Sequence, residues 1–569
     1  MRTAFLKRIV LCLAVFIAFV IPLPASVGAQ EVIPLASSVY EDMDLLYLLA
    51  GEGTPSGSRP WTKAEAQAIL GRVQKEGLQA AALSLYESIE ERVGAPLRWN
   101  FSDGFSLSAY ADISVESYVH LNSDFSSYGA WDYSYVDRKP LLRLRLDMAV
   151  SDFFYTYSDL QYGYGLHTKD DTLDYLGADE SVGALIPKDS KLYYVDENTT
   201  LVQYQKRYAN NLISSSTHID FQTPKRSVIS LGGRQWNATF SRDRISWGNS
   251  KIGNFVLDDH VDFYEYLRFT TYSEYFKYEA LAVFFDMNCV GSSKLRMLLA
   301  HRLEFRPWGK VSVAVSENVM YQDDTLDLRF LNPAFVYHNL NQREKFNAIA
   351  HIELAYVPFA GFRFYGQFAL DQAVAPNEGD NPELPAWGLS LGADYATVLA
   401  QGVWQSSIEA SLALPHMYRR DTVDFLMARR YAGLNNNAWN AIKLDYIGSP
   451  YGGDAFVLHA QTLYKVADRG SLSLAVTGVL KGDIDMFTEL DDRSSGYGTT
   501  MFSEDVIHTS FIATLAGALD VGNLISFSTD WQVYSQVSLL ARGSYLQSLQ
   551  AFNSHAWDVQ LVMGTSFSF

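Results

Sequence analysis

Cysteine is nearly missing: the 569 residues contain two, Cys12 and Cys289. Cys12 lies in an apolar run near the start, behind Ile9-Val10-Leu11 rather than behind small residues, which is not a lipoprotein signature. The rest of the chain therefore holds one thiol and forms no internal disulfide. The 11 histidines are scattered, with no His-x-x-x-His pair on a helix and no cysteine cluster, so no zinc site is expected. A glycine-rich phosphate loop is also lacking, since Gly163-Tyr164-Gly165 stands alone. Basic charge is scarce. The net charge is −19, and removing residues 1–29, which carry Arg2, Lys7 and Arg8 and no acid, gives −19 − 3 = −22. A nucleic-acid partner, which needs a basic stripe, is excluded. No Ser–His–acid set is legible. Asp258-Asp259 and Asp323-Asp324 read as solvated loop charge rather than as a glycosidase pair. The acidic stretch with Asp170, Asp171, Asp174, Asp179 and Glu180 matches no calcium loop. The expectation is a non-enzymatic protein with no cofactor, no metal and no catalytic residue.

Long apolar runs are absent too, beyond Ala29, so no helix can cross a bilayer. Yet 48% of the residues are hydrophobic, with 35 Tyr and 33 Phe, so the apolar side chains must be dispersed. Residues 1–29 combine a basic start, an apolar middle from Ile9 to Leu23 and a Val27-Gly28-Ala29 exit, which predicts a cleaved signal peptide. Residues 30–96 have helical spacing. Ser38 is placed to cap a helix bearing Met43, Leu45, Leu46, Leu48 and Leu49, and the stretch 51–58 breaks it. Thr62 and Glu65 form a capping box ahead of Ala66, Ile69, Leu70 and Val73. A third helix is predicted from about Leu78 to Val93.

From Leu97 to Phe569 the period changes to two. Leu142, Leu144, Leu146, Met148 and Val150 alternate with Arg143, Arg145, Asp147, Ala149 and Ser151. Hairpins are predicted at Pro307-Trp308-Gly309-Lys310 and at Pro358-Phe359-Ala360-Gly361. The strands approach the length that crosses a bilayer obliquely, and the last ends on Phe569, the appearance that barrel-assembly machinery reads in outer-membrane barrels. A sheet in a bilayer must close, with apolar positions toward lipid and polar ones toward the lumen. At about 26 residues per strand, residues 97–569 make about 18 antiparallel strands. The fold class predicted is an all-β transmembrane barrel with a small N-terminal α-helical bundle, in the bacterial outer membrane. Its surroundings would be outer-membrane lipid and lipopolysaccharide-like glycolipid.

Several segments carry a resemblance. They are Arg59-Pro60-Trp61-Thr62 with Glu65 and Leu70, Ser230-Leu231-Gly232-Gly233-Arg234-Gln235, Arg244-Ile245-Ser246-Trp247-Gly248, Leu303-Glu304-Phe305-Arg306-Pro307 and Phe330-Leu331-Asn332-Pro333. In these, and in the order of helical part, long barrel and terminal Phe, the chain resembles the Wzi capsule-assembly family of outer-membrane proteins. The resemblance implies a helical bundle on the periplasmic side and binding of surface polysaccharide. It does not locate the site. The helical part is also similar to cell-wall-binding modules that precede some porin barrels, and a porin passing small solutes is the rival expectation.

For a glycan site, arginine forks suit the carboxylates of acidic sugars and aromatic rings suit the apolar faces of sugars. Arg143 and Arg145 alternate with leucines and should enter the lumen, where bracing of the wall is the competing role. Arg234, Arg242 and Arg244 surround Trp236 and Trp247 in sequence. The predicted polysaccharide-binding set is Arg234, Trp236, Arg244, Trp247, Arg143 and Arg145.

Overall fold

A computed structural model describes residues 28–569 apart from 98, 103, 123–124, 126–130, 134–136, 163–207, 213–223, 286–294, 333, 341–344, 374–383, 420–422, 433–439, 487, 489–499 and 525–529. The predicted signal segment lies almost wholly outside the described residues.

Three helices precede the barrel: α1 (Val39–Ala50), α2 (Lys63–Leu70) and α3 (Ala80–Gly94). Helix α1 stops at Gly51, whose φ of 77° suits a residue without Cβ; its N–H donates to Leu48 O and the Glu52 N–H to Tyr47 O. Thr62 caps α2 by accepting from the Glu65 N–H at 3.2 Å. Two sequence expectations change here. Ser38 adopts helical angles and makes no cap, its hydroxyl instead accepting from Arg92. The Glu65 carboxylate does not return to close the box but pairs with Lys277 of the barrel at 2.7 Å.

Eighteen antiparallel strands close the barrel. They are β1 (Phe105–His120), β2 (Leu142–Val150), β3 (Phe154–Tyr162), β4 (Arg226–Gly232), β5 (Trp236–Asp243), β6 (Tyr264–Tyr272), β7 (Phe276–Phe284), β8 (Leu295–Trp308) and β9 (Val311–Asp323). The second half comprises β10 (Phe346–Phe359), β11 (Phe362–Gln372), β12 (Ala386–Leu399), β13 (Gly402–Ala413), β14 (Ala455–Val466), β15 (Gly470–Lys481), β16 (Val506–Asp520), β17 (Asp530–Leu546) and β18 (Ala551–Ser568). β18 pairs with β1, with Leu561 opposite Val119, and this seals the sheet. Short pieces at Trp99–Ser102 and Tyr208–Asn210 add to β1. The predicted hairpin turns move slightly: Pro307 and Trp308 stay in β8 beyond a bulge, leaving Gly309-Lys310 as the turn, and Ala360-Gly361 closes β10–β11.

The alternation works as predicted. Leu146, Phe240, Leu354, Leu391 and Ile408 are exposed on the outside, while Asp147, Thr239, Glu353, Ser390 and Glu409 are buried within. In a barrel, the exposed apolar band is lipid contact. At one mouth all turns but 521–529 have two or three residues, such as 309–310, 360–361 and 400–401, and the other carries the long connections 121–141, 244–263, 324–345 and 414–454. Near the short-turn mouth the outside is ringed by Trp236, Trp308, Phe359 and Trp404, an aromatic girdle. The helices pack against one another around Trp61 and against Ala396, Val403 and Leu463 at that same mouth.

Candidate binding lumen

The lumen is built unevenly. Between β5 and β13 most inward side chains are buried, because protein fills the space from both mouths. From the short-turn mouth, residues 53–61 form a finger. The Gly53 N–H donates to Gly309 O at 2.7 Å, and Ser58–Arg59 pairs as a two-stranded ribbon with Ser246–Trp247. Wall charges hold the finger: Lys277 Nζ donates to Ser58 O at 2.9 Å, Ser58 N–H donates to Glu304 at 3.1 Å, and Arg268 binds Pro60 O and pairs with Glu279. Below it, Asp44 of α1 receives both Arg363 nitrogens, at 2.7 and 2.8 Å, and Asp394 pairs with the same guanidinium. Burial alone would raise the Asp44 carboxyl, but Arg363 outweighs it and holds it well below the usual carboxylate range.

From the long-loop mouth, residues 244–263 turn inward. Ser250 and the Lys251 N–H bind Glu409, and the Phe255 N–H donates to Gln367 at 3.2 Å. The Phe255 ring lies so close to β12 that a Cβ on Gly388 would stand 2.5 Å from it. Tyr418, from the connection after β13, donates to Phe255 O at 3.0 Å. Asp258 caps the bend by accepting from Asn254 N at 2.8 Å. Burial would raise its carboxyl, but bonds from His260 and Asn254 hold it low. Between finger, loop and the wall of β8–β12 remains only a small cavity of about 30 Å³, lined by Arg302, Glu304, Asn249 and Gln367 among others.

The opposite wall is different. Toward the short-turn mouth the inward positions of β15 and β16 are small, including Ser471, Ser473, Ala475, Thr477, Thr514 and Ala516, and these keep partial exposure, while Val479 and Ile512 close the far end. Water therefore reaches a groove running along β14–β18. Its long-loop end is capped by residues 131–133 and 137–139. Asp132 accepts from Thr514 at 2.6 Å, Gln536 at 2.8 Å and Ser538 at 2.5 Å. Glu116 accepts from Tyr133 at 3.0 Å, Tyr534 at 2.6 Å and Tyr118. The Arg138 guanidinium stacks over Tyr118 and Trp131, at 4.3 and 5.0 Å. Burial and the Glu116 charge push the Tyr133 hydroxyl far up, so it remains a donor. Tyr133, Tyr534, Gln536 and Thr514 are half-buried and thus present hydroxyl, amide and ring faces to the groove.

The structure does not bring the six sequence-selected residues together. Arg143 and Arg145 do face inward. Arg143 binds Asp159 at 2.8 Å, and Arg145 binds Asp147 at 2.7 Å and Tyr155 at 2.6 Å while stacking over Tyr157. Both brace the wall. Arg234 lies exposed in the short β4–β5 turn, at the mouth opposite the long loops. Trp236 points outward and stacks on Phe269 in the girdle. Arg244 ties the inward loop through Asp259 O, at 2.9 Å from Nε. Trp247 is fully buried in the core between finger and wall. The expected Arg–Trp cluster is thereby corrected, since β5 separates its two ends and its two faces. The groove residues were missed. Their one sequence signal was the aromatic density of Trp131-Asp132-Tyr133 in a long connection. Among the described residues no group of His, Cys, Asp and Glu is placed to hold a metal.

No protein-family model matches the chain, and no curated protein does. Among solved structures, the carbohydrate-binding β-barrel Wzi of Escherichia coli, involved in group 1 capsule assembly, aligns over 94% of this chain and 98% of its own at a TM-score of 0.54 and 11% identity. Pseudomonas aeruginosa OprD aligns over 81% of this chain and 95% of its own at 0.38 and 7% identity. The Acinetobacter baumannii channel DcaP aligns over 83% and 100% at 0.33 and 9% identity. The chain is a bacterial outer-membrane β-barrel of 18 strands, similar in fold to Wzi.

Proposed function

We propose that this barrel binds or organises surface polysaccharide without catalysing a reaction, and that the glycan lies in the groove along β14–β18. The observation that carries the reading is the pairing of a sealed lumen half with a wetted one. The wetted half offers Tyr133 and Tyr534 beside Gln536 and Thr514. Rings cover the apolar faces of sugars with little rotamer entropy to lose, and fixed hydroxyls and amides meet sugar hydroxyls. Wzi, the fold neighbour, is a carbohydrate-binding barrel, which supports the same reading. Long connections outside and short turns inside are the usual orientation of such barrels, which supports a periplasmic side for the helices. Phe569 would present the final strand to the assembly machinery. The test is retention of the host's surface polysaccharide on immobilised, folded protein. Retention supports the reading, and no retention of any surface polysaccharide overturns it.

A second reading has its own observation. The small inward residues of β15 and β16 keep exposure along the strands, the lining of a passage for small polar solutes. Steady single-channel current through the unaltered protein in a planar bilayer, with no polysaccharide retained, would favour it.

A further inference from the structure

After β9, residues 324–332 and 334–340 fold the other way, onto the outside of the barrel. Two short 3₁₀ turns, Leu328–Leu331 and Tyr337–Leu340, lie against outward residues Met297 and Leu299 of β8 and Val319 and Tyr321 of β9. Phe330 is the anchor. Its ring centroid is 5.0 Å from Tyr321, 5.6 Å from Tyr337 and 5.9 Å from Phe346. Beneath this clasp, on the face that elsewhere meets lipid, His301 and Glu317 sit opposite each other in the ladder with 3.3 Å between Nε2 and Oε2. The clasp covers that pair and completes it: the Tyr337 and His338 N–H groups donate to Glu317 at 2.9 and 2.6 Å. An acid on an outer wall is costly in lipid, and here backbone donors and a covering segment remove the cost.

The height of the bare wall says what lies beyond the clasp. On β8 the uncovered outward residues are Leu303, Phe305 and Trp308, and on β9 they end at Val315. Five or six residues of a tilted strand rise only roughly 15 Å, whereas the apolar band of such a barrel is about 25 Å tall. The missing height coincides with the clasp, whose own outer surface carries Leu328, 71% exposed, and Val336, 55% exposed, with Phe335 between the two turns. We infer that the clasp is embedded in the outer leaflet and that its Leu328, Phe335 and Val336 are contacted by lipid acyl chains, restoring the band over β8 and β9. The occupant is lipid because the patch continues the lipid-facing wall upward from Leu303 and Val315.

The test uses the full chain with Cys12→Ser and Cys289→Ser, reconstituted in vesicles of phosphatidylethanolamine and phosphatidylglycerol. A nitroxide is attached at Val336→Cys, at Val315→Cys on the bare wall, or at Asp324→Cys at the start of the connection. Collision rates with oxygen and with a water-soluble nickel chelate are compared. The expected result is an oxygen-to-nickel ratio at 336 that matches 315 and lies several-fold above 324. A ratio matching 324 overturns the inference by placing the clasp in water. Spin–spin broadening at 336 that vanishes on dilution with unlabelled chain also overturns it, because a second copy then fills the place of lipid. The heat-modifiable gel shift verifies folding, and Leu328→Cys replaces any 336 variant that lacks it.

Discussion

Trp236 and Trp247 are eleven residues apart and have unrelated roles. Trp236 shares its parity with Phe240 and so faces lipid, which the alternation Trp236, Ala238, Phe240 against Asn237, Thr239, Ser241 already implied. Trp247 is buried because Ser58 and Arg59, almost two hundred residues earlier, pair with its strand. No local pattern announces such a partner. Trp247→Ala should lower stability by about 3–5 kcal/mol through the cavity it leaves, read as a fall in the denaturant midpoint of the heat-modifiable form. Trp236→Phe should leave that midpoint nearly unchanged. Asp44 has a pH signature. Its folded pKa lies below the unfolded value, so the stability it contributes is present above that value, about 3.9, and is lost as pH falls below it. The melting midpoint of the docked bundle should decline below about pH 4 in the natural chain. Asp44→Asn should start lower, by the equivalent of about 3 kcal/mol, and decline less. An unchanged acid profile in Asp44→Asn would contradict the role given to the Asp44–Arg363 pair.

At the scale of elements, period and punctuation were enough to find the helices and strands. Helix α3 begins at Ala80 against a predicted start near Leu78, and the outward and inward faces of β2 fall as the leucine–arginine alternation required. What was illegible is where each connection goes. The connections after β5 and β9 are comparably polar, yet residues 244–263 of the first turn into the lumen and the described residues of the second lie on the outer wall. Their direction depends on what the wall offers at that height: Glu409 and Gln367 inside for one, an apolar face with Glu317 outside for the other. The finger is the element with the clearest consequence. Removing residues 53–61 and joining the ends with a short Gly/Ser linker should open the β6–β11 side. Planar-bilayer recordings would then show larger current steps than the unaltered chain. Equal steps would mean that the inward loop alone seals that half.

For the whole molecule, length and composition excluded more than they specified. No spanning helix, no disulfide and dispersed apolar residues left a closed sheet in a membrane, and the division of length by residues per strand gave the strand number that closes the barrel. The division of the lumen was not legible, because it follows from the sizes of inward residues on strands far apart in sequence. Charged and aromatic side chains crowd β5–β13, and serine, alanine and threonine line β15 and β16. Sugar should bind along that second wall. The most direct measurement is the affinity of the host's surface polysaccharide for the natural chain, for Tyr534→Ala with Gln536→Ala, and for Trp236→Ala, all verified as folded. Binding in the groove requires a loss of about tenfold or more, roughly 1.4 kcal/mol, in the groove variant and no change in Trp236→Ala. Equal affinity in all three would contradict it.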